Sequence, residues 1–162
     1  MRLVNMSALD IAQVYKMYSE GYPEYFRHFD EFLSEDQFIQ TLISTGNLVN
    51  IRSENVNVGF LHFRPLSKAK ICEVSVFIAE SSQGEGHCVE AMLSFFRHIF
   101  KSGFKRIVCL TSSDDPRAMA LCEKGGFEEE AVLVESCYYE GEFHNETRWV
   151  MTKKNFNERY GG

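Results

Sequence analysis

The feature that most constrains this chain is a glycine pair set between a strand-like segment and a helix-like segment. Residues 70–79 are rich in β-branched side chains and predict a strand. Gln83-Gly84-Glu85-Gly86 follows, and the apolar residues after it recur at helical spacing. Glycines let a backbone approach a ligand closely, and the free N–H groups and dipole of a helix start favour an anion. The sequence therefore predicts a phosphate-binding loop at this point.

Capping signals and changes of hydrophobic period predict the other elements. Ser7 and Ser34 each open a capping-box pattern, which predicts one helix from Ala8 to about Glu20 and another ending near Thr45. Asp115 before Pro116 predicts a further helix start. Besides a strand at the start of the chain, strands are predicted at 48–53, 56–64, 106–111, 130–139 and 147–152. This order predicts a mixed α/β sheet flanked by helices.

The length and the absence of repeats or linkers predict one domain. The chain has 162 residues, which fits a single hydrophobic core. We expect that domain to span residues 1–154. Residues 155–162 are polar and end in two glycines, so we interpret them as a tail.

Composition excludes several classes of function. A net charge of −6 argues against nucleic-acid binding, and no apolar run approaches the roughly 18 residues that span a bilayer. The first residues lack the apolar stretch of a signal peptide. Five scattered cysteines without a Cys-x-x-Cys pair favour a reducing cytoplasm, and neither they nor the histidines have metal-ligand spacing. We expect a cytoplasmic protein with no metal.

The loop does not fit the two commonest nucleotide-binding patterns. A dinucleotide site requires a third glycine, and position 89 is valine. A P-loop requires Gly-Lys followed by Ser or Thr, which is absent. An anion site midway along the chain remains.

Two motifs carry a resemblance to the GNAT N-acetyltransferase superfamily. Residues 83–88 resemble its pyrophosphate loop, which reads Arg or Gln, two residues, Gly, one residue, then Gly or Ala. Cys88 stands at the final Gly or Ala position, a modest departure that still permits tight packing. Residues 115–127 resemble its second signature, which reads Asn, two residues, Ala, two residues, Leu-Tyr-Glu-Lys, one residue, Gly-Phe. The resemblance covers roughly residues 48–152 and keeps both motifs in order and spacing.

The resemblance implies a fold, a reaction and a set of cofactor contacts. The sheet would be splayed between its fourth and fifth strands, with acyl-CoA in the gap. The chain would transfer an acetyl group from acetyl-CoA directly to a primary amine, either a small cationic amine or a protein N-terminus. Asp115 replaces the asparagine that bonds the pantetheine, unless its role is only the N-cap. The other implied contacts are main-chain groups of Phe77, Ile78 and Ala79 to the pantetheine arm and thioester, and Gln83, Gly84, Glu85, Gly86, His87 and Cys88 to the pyrophosphate.

The catalytic residues are less well defined by the family pattern. Glu73, which strand alternation puts on one face with Ser75 and Phe77, is the candidate base, with a surface charge as the alternative. Cys122 replaces the tyrosine that often protonates the leaving thiolate. It is either a weak acid or simply a small buried residue. Tyr138 and Tyr139 are the other candidate acids.

Two further questions stay open at the level of sequence. The missing tyrosine leaves room for an inactive acyl-CoA-binding sensor or interaction domain of the same fold. Acidic and aromatic residues between positions 20 and 31 favour a cationic acceptor. The expected partners are thus acyl-CoA and an amine, and homodimer formation is left open. A Cys–His nucleophile is disfavoured, because His87 and Cys88 are helix neighbours that point about 100° apart.

Overall fold

The computed structural model of the chain describes residues 2–5, 12–16, 19, 34–45, 47–67, 70–139 and 141–161. Seven strands lie within these ranges. The chain divides into two compact units: residues 1–64 with 75–91, and residues 65–74 with 92–162. The units alternate along the sequence, so the first and second halves of strand β4 (Ile71–Ile78) belong to different units.

The first unit is built on antiparallel strands. Its elements are β1 (Arg2–Asn5), α1 (residues 12–16), α2 (Glu35–Thr45), β2 (Asn47–Ser53), most of β3 (Val56–Ser67), the second half of β4 and the start of α3 (His87–Lys101). β2 pairs with both β1 and β3, which aligns Val4, Asn50 and Phe60 across the sheet. The predicted helix ending at Thr45 is confirmed. Most of the helix predicted from Ala8 lies outside the described residues.

Ser34 starts α2 with the predicted capping box. The N–H of Gln37 donates to Ser34 Oγ over 3.4 Å, and the N–H of Ser34 donates to Gln37 Oε1 over 2.9 Å. Two N–H groups at the helix start are thereby satisfied. α2 buries Phe38, whose ring lies 5.6 Å from that of Tyr15 in α1. Local capping and the burial of Phe38 thus help to hold this helix.

Gly59 lets β3 approach the end of β4. A Cβ atom at this position would collide with the carbonyl oxygen of Phe77, so a side chain has no room. The next residue, Phe60, stacks on Phe77 with ring centroids 5.3 Å apart. This close approach holds the end of β4 in place, and the candidate loop starts from there.

The second unit combines parallel and antiparallel strands. Its elements are the first half of β4, most of α3, β5 (Arg106–Ser112), α4 (Pro116–Lys124), β6 (Glu128–Tyr139), β7 (Glu142–Thr152) and α5 (Lys153–Tyr160). The strand order here is β4-β5-β7-β6, and in the first unit it is β1-β2-β3-β4. The predicted mixed α/β fold is confirmed.

The parallel pair of β4 and β5 is short. Ile71, Cys72 and Glu73 pair with Arg106, Ile107 and Val108, and no further pairs follow although β5 continues to Ser112. Strands that pair only at one end are what the predicted splayed sheet requires. Beyond Val108, β5 is paired on its other side with β7.

β6 is the last strand of its sheet within the described residues, and it carries a bulge. Its register with β7 shifts between Leu133 and Cys137, and Glu135 has a φ of 49°. The side chain of Asn145 accepts the N–H of Glu135 over 2.8 Å. A local hydrogen bond therefore replaces the ladder bond that the bulge removes.

The C-terminal segment differs from the predicted polar tail. Residues 153–160 form α5, which begins at the N-cap Thr152 and buries Phe156 to 2% exposure. Phe156 contacts Phe100 of α3, and the Tyr160 hydroxyl donates to the carbonyl of Gly125 over 2.8 Å. Phe156 and Tyr160 lie four residues apart, on one side of the helix. Two aromatic side chains therefore anchor a segment that is otherwise polar.

Candidate functional site

The predicted phosphate-binding loop has the backbone that it needs. After β4 and a 3-10 turn at Glu80–Ser82, Gly84 and Gly86 adopt φ values of 83° and 80° before α3 begins at His87. Cβ atoms built on either glycine would have no heavy atom within 4 Å. The main chain is thus open on this side, and the first N–H groups of α3 have no partners within the helix. An anion can approach these N–H groups directly.

Gln83 braces the loop rather than extending from it. Its amide Nε2 donates to the carbonyl of Ile78 over 3.2 Å, which ties the loop back to the last residue of β4. The two glycines therefore follow a residue whose position is fixed. Direct contact of Gln83 with a pyrophosphate stays a prediction.

Glu85 and His87 form a contact of their own within the loop. His87 Nε2 lies 2.7 Å from Glu85 Oε2, where an imidazole N–H donates to the carboxylate. Glu85 is exposed and His87 is half-buried. The loop therefore contains a negative charge beside the N–H groups that would hold an anion.

Cys88 lies in the first turn of α3 and is half-buried. Burial raises the pKa of its thiol to about 12. A thiol with this pKa is protonated at neutral pH and is not a nucleophile. This agrees with the rejection of a Cys–His nucleophile at positions 87 and 88.

At the end of β4, the main-chain N–H and C=O groups of successive residues point to opposite edges of the strand. Ala79 donates its N–H to Val58 of β3 over 2.8 Å and accepts the N–H of Ser82, also over 2.8 Å. Both of its main-chain groups are thus engaged inside the first unit. Because strand residues alternate, Phe77 also points its groups toward β3, whereas Val76 and Ile78 point theirs away. Of the three predicted residues, only Ile78 has its main chain directed away from β3.

Val76 is a further candidate for a main-chain contact, which the sequence analysis did not name. Its main-chain groups point the same way as those of Ile78, but strand alternation alone gives two equivalent sets of residues. The register with β3 decides between the sets, and that register depends on contacts about 20 residues apart along the chain. No local signal in the sequence identifies Val76.

Asp115 is the N-cap of α4, as predicted. Its Oδ1 accepts the N–H groups of Arg117 and Ala118, each over 3.1 Å, and Pro116 occupies the first turn. This carboxylate oxygen is therefore committed to the helix. A contact of Asp115 with pantetheine stays a prediction.

Glu73 and Cys122 also lie in the second unit. Glu73 is half-buried and is the last residue of β4 that pairs with β5, opposite Val108. Cys122 is buried on α4, and its carbonyl accepts the N–H of Phe127 over 3.0 Å. Its burial agrees with a packing role. The catalytic assignments of both residues stay predictions.

A polar cluster that the sequence analysis did not identify lies at the carboxyl end of β5. His144 on β7 contacts Asp114, with Nδ1 and Oδ2 3.0 Å apart. Nearby, the Ser113 and Thr147 hydroxyls lie 3.0 Å apart, and Ser136 donates to Glu146 over 2.8 Å. The members come from the turn after β5 and from the consecutive strands β6 and β7, so no single sequence motif contains them.

The predicted site residues thus fall into two sets. Phe77, Ile78, Ala79 and the whole loop from Gln83 to Cys88 belong to the first unit. Glu73, Asp115 and Cys122 belong to the second unit. The cofactor-binding and catalytic roles assigned to these residues stay predictions.

The described part of the chain carries neither a metal-holding cluster of side chains nor a membrane-spanning helix. No group of three or more His, Cys, Asp or Glu side chains there is arranged to hold a metal ion. No helix in these ranges is long and apolar enough to cross a bilayer.

Solved N-acetyltransferases share this fold. The spermidine N-acetyltransferase of Vibrio cholerae in complex with CoA and spermine matches with a TM-score of 0.84 at 16% identity, covering 96% of this chain and 96% of that chain. The ribosomal-protein-alanine N-acetyltransferase of Brucella melitensis matches with a TM-score of 0.78 at 14% identity, covering 94% of this chain and 99% of that chain. At such identities the likeness shows the fold alone.

The family is given by the sequence itself. The family model of the acetyltransferase (GNAT) domain matches residues 1–128. The chain therefore belongs to the GNAT acetyltransferase family, as its two motifs predicted. No curated protein matches the sequence.

Proposed function

We propose that this chain transfers an acetyl group from acetyl-CoA directly to a primary amine, either a small cationic amine or a protein N-terminus. The observation that carries the proposal is the loop itself. Gly84 and Gly86 both adopt positive φ values at the start of α3, directly after the strand that pairs with β5. Family membership supplies the reaction class, and this loop supplies a place for the diphosphate of the donor.

The donor would be held mainly by main-chain groups. N–H groups between Gly84 and Cys88 bind the diphosphate, helped by the dipole of α3. The main-chain groups of Val76 and the N–H of Ile78 point away from β3 and are proposed to bind the pantetheine arm, since the carbonyl of Ile78 already accepts Gln83. Asp115 is proposed to contribute from the start of α4. These groups hold the thioester in place. Polarisation of its carbonyl by fixed hydrogen-bond donors is the largest contribution to catalysis expected in acyl transfer.

The amine must lose a proton before it attacks. Glu73 is the proposed base, either directly or through water, because an alkylamine is mostly protonated at neutral pH. Cys122 stays a candidate acid for the departing thiolate, but its burial favours packing.

The acceptor is proposed from weaker support. The similar structures include enzymes named for spermidine and for a ribosomal-protein alanine, and both of these acceptors are amines. The acidic and aromatic residues between positions 20 and 31, on which the preference for a cation rests, lie outside the described residues.

Gly86→Ala tests the loop assignment. A methyl group at this position would occupy the open space that a phosphate oxygen needs, so we expect the affinity for acetyl-CoA to fall at least tenfold, about 1.4 kcal/mol. Calorimetry measures this affinity. Gly103→Ala is the matched control, because Gly103 also has a positive φ, of 99°, and open space around it. Both variants share the backbone strain of about 1–2 kcal/mol, and only the first alters the loop.

Mass spectrometry on a panel of polyamines, peptides and aminoglycosides tests the reaction. Acetylation of one class by the wild type, lost in Gly86→Ala and kept in Gly103→Ala, is the expected result. Tight acetyl-CoA binding without acetylation of any amine would instead favour the sensor. Unchanged affinity in a folded Gly86→Ala protein would refute the loop assignment.

A further inference from the structure

The hairpin of β6 and β7 exposes apolar side chains. Val132 and Val134 lie two residues apart on β6. Tyr138 lies opposite Phe143 of β7, and their ring centroids are 4.9 Å apart. The exposed fractions of these four residues run from 47% to 74%. Single exposed apolar residues are ordinary on a protein surface, but a contiguous group of them marks an interaction site.

The strand register puts the four side chains on one side of the hairpin. Val132 pairs with Thr147, and Tyr138 pairs with Phe143. Thr147 and Phe143 are four residues apart on β7, and strand residues an even number apart share a face, as do paired residues of an antiparallel ladder. Val134 follows Val132 by two residues and therefore points the same way. These four side chains form what we term the hairpin face.

The hairpin carries charge of one sign. Residues 125–147 contain seven glutamates and no lysine or arginine. Glu130 is paired with Arg106 and Arg148 from outside this stretch, and Glu146 is buried. The remaining glutamates leave the hairpin with a net negative charge, which favours a cationic partner.

Exposed carboxylates adjoin the apolar side chains. Glu129 pairs with Trp149, which is two residues from Thr147 on β7, so Glu129 lies on the same side as the hairpin face. Glu135 and Glu142 are each next in sequence to a member of the face. All three of these glutamates are exposed. A ligand seated on the apolar side chains would therefore meet negative charge around them.

Charge and apolar surface together select among candidate partners. A second copy of this chain would bring the same glutamates against the first, and like charges facing each other across an interface oppose binding. Nucleic acids and anionic membrane surfaces are repelled for the same reason. Pairing of a foreign strand along the edge of β6 would meet the bulge at Glu135. A polypeptide segment that has both cationic and apolar side chains matches both properties.

We propose that the hairpin face docks a basic, apolar segment of a partner polypeptide. Val134 and Phe143, the most exposed members of the face, supply the apolar contact. The exposed glutamates hold the cationic side chains, and the ring of Tyr138 offers a surface on which a guanidinium can stack. The face lies within the second unit, so the docking does not depend on the loop assigned to acetyl-CoA or on the proposed acetyl transfer.

A short peptide of alternating arginine and leucine, with an acetylated N-terminus, tests the docking on the full chain. This peptide has no primary amine, so it cannot be an acetyl acceptor. We expect calorimetry at low salt to show binding at least about tenfold tighter than that of a glutamate–leucine peptide or an arginine–serine peptide of equal length, because each of these lacks one of the two required properties.

Matched variants locate the binding. Val134→Ser and Phe143→Ser should each weaken it by about fivefold or more, as expected for central apolar contacts. Val56→Ser makes the same change as Val134→Ser at a valine of β3 that is 65% exposed in the first unit, and it should leave the affinity unchanged. Glu129→Gln should weaken binding at low salt and less at high salt. Glu54→Gln, at an exposed residue of the first unit, changes the net charge equally and should have no effect.

Three results would overturn the docking. One is equal binding of either control peptide, which would mean that apolar surface or charge alone suffices. Another is equal weakening by Val134→Ser and Val56→Ser, which would place the peptide elsewhere. The third comes from sedimentation: a dimer that dissociates in Val134→Ser would assign the face to a second copy of this chain.

Discussion

Glu85 places a carboxylate inside the loop that we assign to the diphosphate of CoA. In the structure this carboxylate is 2.7 Å from His87, the first residue of α3. A bound diphosphate would meet a like charge there and would compete with Glu85 for the imidazole N–H. The side chain therefore weakens the binding that the glycines permit.

Removing that charge should tighten binding. Glu85→Gln is expected to lower the Kd for acetyl-CoA by about two- to fivefold, since exposed charge interactions amount to at most about 1 kcal/mol. Calorimetry at low salt measures the change, which should shrink at high salt because the charge is exposed. Glu90→Gln is the control, an exposed acidic residue of the first turn of α3 outside the loop. Equal effects in the two variants would mean that only net charge matters.

At this scale the sequence predicts what local backbone chemistry determines. The positive φ values of Gly84 and Gly86 and the cap formed by Asp115 follow from residue type and spacing. The contact of His144 with Asp114 does not, because it joins residues 30 positions apart through the register of two strands. Which residues of β4 direct their main-chain groups away from β3 depends on register in the same way.

Among the helices and strands, α5 is the one whose polar composition does not predict it. Its sequence is mostly polar, and only Phe156 and Tyr160 give it an apolar side. Phe156 is buried between Phe100 and Tyr160, with ring centroids 5.2 Å and 5.3 Å away. The other helices show a capping signal or a broad apolar face, and the sequence therefore predicts them. A short helix held by one buried ring carries neither signal.

Phe156→Ala should destabilise the chain strongly. Truncating a buried phenylalanine costs about 3–5 kcal/mol through lost burial and the cavity that remains, and urea unfolding measures this free energy. Tyr160→Phe is the matched control, since it keeps the ring and removes only the hydroxyl bond to Gly125, worth about 1 kcal/mol. A loss below about 1 kcal/mol in Phe156→Ala would mean that α5 is not part of the folded core.

For the whole molecule, binding and folding are linked. A ligand that binds only the folded chain stabilises it by about 2.7 kcal/mol when its free concentration is 100 times the Kd. Acetyl-CoA should therefore raise the melting temperature, and a scanning fluorimetry titration measures the shift. The acetyl thioester of N-acetylcysteamine, which lacks the diphosphate, should give a much smaller shift. Equal shifts would assign the binding to the acyl end rather than to the loop.

The bulge in β6 has a consequence for how the chain behaves among copies of itself. An outermost strand with exposed Val132 and Val134 can pair with a strand of another chain. Such pairing is the first step of cross-β aggregation. The positive φ of Glu135 and the register shift beside it interrupt the regular course of this strand. The exposed Glu128 and Glu129 add negative charge to the same strand. The kink thereby works against aggregation at a site where the side chains alone would favour it.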